Sequence, residues 1–94
     1  MRTIERSSTF KKDYKRVKST PRHRKNIDAL LRDCLVLLCS DQPLPEGCRD
    51  HGLTGNWNGY RECHLKPDLL LIYRMADNNT LRLARLGSHS ELFK

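Results

Sequence analysis

Residues 69–76 read LLLIYRMA, an apolar run broken by a single arginine. A strand with one wet face alternates apolar and polar side chains. A run without that alternation is expected of a central strand covered on both faces. The rest of the chain must therefore supply two covers and the neighbouring strands. NGYRECHLK at 58–66 alternates in character, and Pro67-Asp68 turns the chain into the run. DNNT at 77–80 reads as a hairpin turn, with LRLARLG at 81–87 as the return strand.

One cover is legible upstream. Phe10, Tyr14 and Val17 stand at i, i+4 and i+7, one stripe of a helix, while Lys11, Lys12, Lys15, Arg16 and Lys18 fall mostly on its other sides. Ser19-Thr20-Pro21 reads as a helix restart, with Thr20 capping and Pro21 in the first turn. The second helix runs to about Cys39, with Ile27, Leu30, Leu31, Cys34, Leu35 and Leu38 on one face, and Pro43 and Pro45 stop it. MRTIER at 1–6 is compatible with a first strand, CRDHGL at 48–53 with a short edge strand, and HSELF at 89–93 with a last helical turn. The expected fold is α+β: a helical hairpin packed on one face of a small antiparallel sheet, in the order β-α-α-β-β-β, as one domain over residues 1–94.

Charge divides the chain in two. Residues 1–32 hold eleven Lys/Arg against three Asp/Glu, net +8, whereas residues 33–94 hold seven against eight, net −1. A basic half joined to a neutral half is the footprint expected for a polyanion or an acidic protein partner. A pair of solvated helix faces is the plainer alternative. No stretch approaches the ~20 apolar residues of a membrane span, and residues 1–20 are charged throughout, unlike a signal peptide. The cytoplasm is the expected compartment, with no membrane partner.

The cysteines are Cys34, Cys39, Cys48 and Cys63. Without an export signal, reduced thiols are expected rather than disulfides. A zinc site would draw on Cys48, His51, Cys63 and His64. Cys63 and His64 are neighbours in an expected strand, however, and neighbours in a strand point to opposite faces. No metal and no other cofactor is expected.

With helices on one sheet face, the other is left for a site. His51, His64 and His89 all lie in the β half, with Asp68 after the turn and Arg85 four residues before His89. His64 and Asp68 flank one turn; whether Arg85 and His89 join them depends on strand register. Such a set suits metal-free RNA cleavage. The 2′-hydroxyl must lose a proton and the leaving 5′-oxygen must gain one, and histidine serves in either role near neutrality. A guanidinium can meet the extra negative charge of the transition state with two parallel bonds. Each residue also has an ordinary structural reading: a loop His51, a half-buried His64, a turn-forming Asp68, an Arg85 whose stem caps the core, and Trp57 and Tyr60 as packing.

Three linked motifs add to this. D-H-x-L-x-G-x-W-x-G-Y-R-x-x-H begins at Asp50, P-D-x-x-L-I-Y at Pro67, and L-x-R-x-G-S-H-x-x-L-F at Leu83. Together they resemble the YafQ-type toxins of the RelE/ParE superfamily over Asp50 to Phe93. The resemblance implies a type II toxin, an endoribonuclease cutting mRNA in the ribosomal A site. It also implies a cognate acidic antitoxin in a heterotetrameric or larger complex. The matching catalytic positions are His51, His64, Asp68, Arg85 and His89, with Phe93 as a substrate-stacking residue and Lys11, Lys15 and Arg22 as an RNA-facing surface. Leu69 departs from the family, which often has tryptophan there, and leucine offers no flat ring for a base. A ParE-like toxin acting on a protein such as gyrase, or a non-catalytic RNA-binding module, are the alternatives.

Overall fold

The computed structural model describes residues 1–93. The elements are β1 (Thr3–Arg6), α1 (Ser8–Lys18), α2 (Pro21–Arg24), α3 (Ile27–Cys39), β2 (His51–Gly52), β3 (Arg61–Lys66), β4 (Leu69–Asp77), β5 (Thr80–Gly87) and α4 (His89–Leu92), with 3-10 turns at Glu46–Cys48 and Gly55–Trp57. They form a five-stranded sheet in the order β1-β5-β4-β3-β2. The apolar run of residues 69–76 is thus the middle strand, and its residues 69–73 are all buried. The two faces of β4 serve two cores. Leu69, Leu71 and Tyr73 meet Phe10, Val17, Ile27, Cys34 and Leu38 on the helical side. Leu70 and Ile72 join Ala84 and Leu92 on the other side, with Leu53, Trp57, Tyr60 and Phe93 packed against them. Each large aliphatic side chain removed from water in this way contributes about 1.5–3 kcal/mol.

Three details depart from the sequence expectation. The sheet is mixed, because β1 pairs in parallel with β5 while the other pairs are antiparallel. A parallel pair needs a long crossover, and the intervening helices and strands provide it. The second helix is split into α2 and α3. Thr20 precedes α2 without a side-chain cap; its hydroxyl instead donates back to the Arg16 carbonyl at 3.0 Å. Finally, β5 carries an extra residue at Ala84: Tyr73 faces Leu83, but Ile72 faces Arg85. This bulge breaks the alternation that would have put Arg85 on the side of Leu81 and Leu83.

Helix α1 closes the edge of β5 that β1 does not reach. β1 pairs only with Thr80–Leu83. Beyond it, Ser7 Oγ donates to the Ala84 carbonyl, the Leu86 amide donates to Asp13, and Arg16 donates to the Leu86 carbonyl. Side chains of one helix thus take the place of a missing strand, satisfying an edge that would otherwise be open. Ser7 also caps α1 by accepting from the Phe10 amide at 2.9 Å.

Candidate functional site

On the sheet face away from the long helices, β2 and β3 bring His51, Glu62 and His64 together. His51 pairs with Glu62 across the strands, and His64 lies two residues along β3, on the same face. His51 Nδ1 meets the Arg49 carbonyl at 2.7 Å, and Arg49 holds left-handed backbone (φ 50°) that aims it there. His51 Nε2 lies 3.2 Å from Glu62 Oε2, and His64 Nε2 lies 3.9 Å from the same oxygen. With Nδ1–H donating to the carbonyl, Nε2 is the ring nitrogen turned toward Glu62. Glu62 is 5% exposed, and its Oε1 has no hydrogen-bond partner among the described residues. A buried carboxylate with one free oxygen between two imidazoles is costly to keep.

Asp68 does not fill that place. Its carboxylate pairs with Arg22 at 3.3 Å, both side chains at least half exposed. The sequence reading placed these two residues in different roles, catalysis and RNA contact, and the fold makes them partners. Nearby, Lys66 Nζ donates to the Arg22 carbonyl at 2.7 Å and lies 3.3 Å from His23 Nδ1. His23 is buried; burial, and then the Lys66 charge, push its imidazole below the ordinary value.

The register carries the site across the sheet. His64 is opposite Leu70, and Leu70 is opposite Gly87. His64 and Gly87 are therefore two strand spacings apart, about 10 Å, and α4 begins two residues beyond Gly87. His89 opens α4 behind an N-cap box formed by Ser88 and Glu91. Its ring lies 4.9 Å from that of Phe93, tilted by 38°. His51, Glu62 and His64 form one wall, His89 and Phe93 the other, and Leu70 and Ile72 pack between them. Leu69 points away, buried in the helical-side core. Trp57 stacks edge-on against Tyr60 at 5.2 Å, and both pack over that middle ground.

Arg85 belongs to this region through Ile72, its partner across the strands, but its guanidinium is tied to Asp13 of α1. Lys11 and Lys15 lie elsewhere. They line a groove between β1, α1 and α3 with Ile4, Leu31 and Val36, on the helical side of the sheet. Sequence reasoning missed two residues here, and both left a signal. Glu62 shares the strand parity of His64. Asp13 sits three residues after Phe10 and four before Val17, on the apolar stripe of α1, where a carboxylate needs a buried partner.

Cys34 and Cys63 meet at 3.7 Å between sulfurs in the helical core and are free thiols. Cys63 and His64 occupy opposite faces, as the zinc argument required. Among the described residues no group of three or more His, Cys, Asp or Glu is placed to hold a metal ion.

The fold and this face define a class: a small basic α+β domain with imidazoles on two walls of one sheet face. The family described as "Bacterial toxin of type II toxin-antitoxin system, YafQ" matches residues 2–94, and the chain belongs to that family. The mRNA interferase toxin YafQ of Escherichia coli K12 is 39% identical over 92 residues, covering 98% of this chain and 96% of its own. Among solved structures, the E. coli DinJ-YafQ complex has a toxin chain with TM-score 0.83 and 37% identity, covering 100% of both chains. A metal-bound toxin from Helicobacter pylori has TM-score 0.84 and 46% identity, covering 99% of this chain and 100% of its own.

Proposed function

We propose that this YafQ-family toxin cuts translated mRNA in the ribosomal A site by attack of a 2′-hydroxyl on the neighbouring phosphate. Its activity is that of an mRNA interferase, an endoribonuclease. The observation that supports the chemistry is the pair of walls: His51, Glu62 and His64 on one, His89 and Phe93 on the other. One wall takes the proton from the attacking hydroxyl while the other returns one to the leaving 5′-oxygen. Arg85 meets the charge that develops on phosphorus, and Phe93 offers a face for a splayed base. Asp68, paired with Arg22 beside the same turn as His64, is the remaining carboxylate of the catalytic set.

This route draws on side chains alone, and the reading is therefore of metal-independent cleavage. Toxin stripped with chelator and dialysed before addition to ribosomes will cleave as well as untreated toxin, a necessary check given the metal-bound H. pylori relative. The partners are the translating 70S ribosome, reached through the basic α1 surface at Lys11 and Lys15, and a cognate acidic antitoxin. The DinJ-YafQ complex supports an antitoxin partner, here in a heterotetramer or larger, within the cytoplasm. No helix of the described residues is long and apolar enough to cross a membrane.

The test is single-turnover cleavage of ribosome-bound mRNA by His64→Ala and His89→Ala. Each is expected to lose roughly 10²–10⁴-fold while staying folded. Full activity in both variants would remove the acid/base assignment.

A further inference from the structure

Asp13 is the most heavily bonded side chain of the molecule. It is 2% exposed, deep in the contact between α1 and the edge of β5. Its Oδ2 accepts from Arg85 Nε at 2.7 Å and from the Leu86 amide at 3.0 Å. Its Oδ1 accepts from Arg16 Nη1 at 2.8 Å and from Arg85 Nη2 at 3.1 Å. A carboxylate has about four acceptor sites, so Asp13 is saturated. It has no lone pair left for a substrate proton and cannot serve as a base. Whatever it does for cleavage, it does through the arginine it holds.

The manner of holding is informative. Arg85 gives Asp13 its side edge, Nε and one Nη2 proton, in two parallel bonds. A guanidinium has five N–H donors in a rigid fork. The opposite end, Nη1 with the second Nη2 proton, makes no bond among the described residues, and the side chain is 24% exposed. That end-on pair is the edge that chelates two phosphate oxygens. The bulge at Ala84 places Arg85 opposite Ile72, on the histidine face, so the carboxylate on α1 fixes which edge is presented there. Arg16 extends the same cluster, bonding Glu91 of α4 at 3.0 Å, the helix that begins with His89.

We propose that Asp13 is a positioning residue for cleavage: it clamps Arg85 side-on, so that the free end of the guanidinium stands fixed toward the scissile phosphate. This rests on the nuclease reading of the site given above. Arginine flexes through four side-chain torsions when free, and holding it in advance removes that freedom before the transition state rather than during it.

The test is a double-mutant cycle on single-turnover cleavage of ribosome-bound mRNA, with ribosome affinity measured alongside. Arg85→Ala is expected to lose about 10²–10³-fold, as for removal of one donor to a developing anion. Asp13→Asn should lose about 10–100-fold with unchanged ribosome affinity. The double variant should be no slower than Arg85→Ala alone, because Asp13 has nothing to act on without the arginine. Losses that multiply would show that Asp13 only supports the fold, and a fully active Asp13→Asn would equally overturn the proposal. Full activity in Arg85→Ala would instead remove the reading of the site itself, and this inference with it. A second measurement covers the case in which Asp13→Asn does not fold. In ¹⁵N-arginine spectra of the unaltered toxin, the Arg85 Nε–H should exchange with solvent at least tenfold more slowly than those of exposed arginines such as Arg32. Equal exchange would overturn the clamp.

Discussion

Replacing Glu62 by glutamine separates catalysis from stability with opposite signs. The buried Glu62 carboxylate turns Oε2 toward His51 at 3.2 Å and His64 at 3.9 Å, and its Oε1 is buried without a partner among the described residues. Glutamine keeps the shape and removes the negative charge beside the two imidazoles. A contact to a charged partner is worth about 1.5–3 kcal/mol, so losing the carboxylate's charge beside an imidazolium in the transition state should slow cleavage by roughly 10–100-fold. For stability, the change removes an incompletely bonded buried charge, whose desolvation cost is about 1–3 kcal/mol or more. If the amide recovers about 1 kcal/mol of it, Tm should rise by roughly 4–8 °C for a domain of this size. The assays are single-turnover cleavage of ribosome-bound mRNA and thermal unfolding monitored by circular dichroism. A variant that loses both activity and stability would show Glu62 to be a structural anchor. A variant as fast as the original would show that His51 and His64 need no carboxylate. Either result refutes the reasoning.

Three more predictions follow from particular contacts. Charge reversal at Lys11 and Lys15 together should weaken ribosome binding and reduce the slope of log affinity against log salt by up to about two phosphate contacts; an unchanged slope would leave them a solvated face. Burial holds His23 neutral in the fold, so the unfolded chain binds the extra proton: stability is complete above the ordinary value of 6.5 and falls as pH drops through the lowered one. Denaturant unfolding should show this loss below neutrality, and His23→Gln should flatten it. A Cβ built at Gly87 lies 2.7 Å from Arg16 Nη2 and 3.0 Å from Glu91 Oε1. Gly87→Ala should therefore disrupt the Arg16–Glu91 bond, destabilise the fold by roughly 1–2 kcal/mol and slow cleavage through the displaced α4, read by urea unfolding and the same cleavage assay.

The placement of Arg85 shows where sequence periodicity stops. Parity along LRLARLG assigns it to the side of Leu81 and Leu83, and a single extra residue at Ala84 reverses that. A bulge has no periodic signature, because it is a local slip set by the partner strand and by the edge contacts of α1. The same limit explains Asp68. It is adjacent to the turn as its spacing required, yet its carboxylate is drawn to Arg22, a residue 46 positions upstream brought in by the tertiary fold. Glu62 lies beside both His51 and His64, and its signal was there, two residues before His64. That it and His51 are neighbours became visible only through strand pairing.

By itself the sequence determined the parts. The unbroken apolar run had to be a central strand, the stripes at Phe10, Tyr14 and Val17 and at Ile27 to Leu38 had to be covering helices, and the adjacency of Cys63 and His64 had to place them on opposite faces. These are consequences of local periodicity and of the water excluded by apolar surface, and they act within a few residues. The tertiary structure decided the pairings: β1 parallel to β5, Asp13 on Arg85, Arg22 on Asp68, and Glu62 between two imidazoles. Each joins groups by charge and geometry across segments whose separation along the chain carries no energetic information, so only the folded arrangement could choose among the partners available.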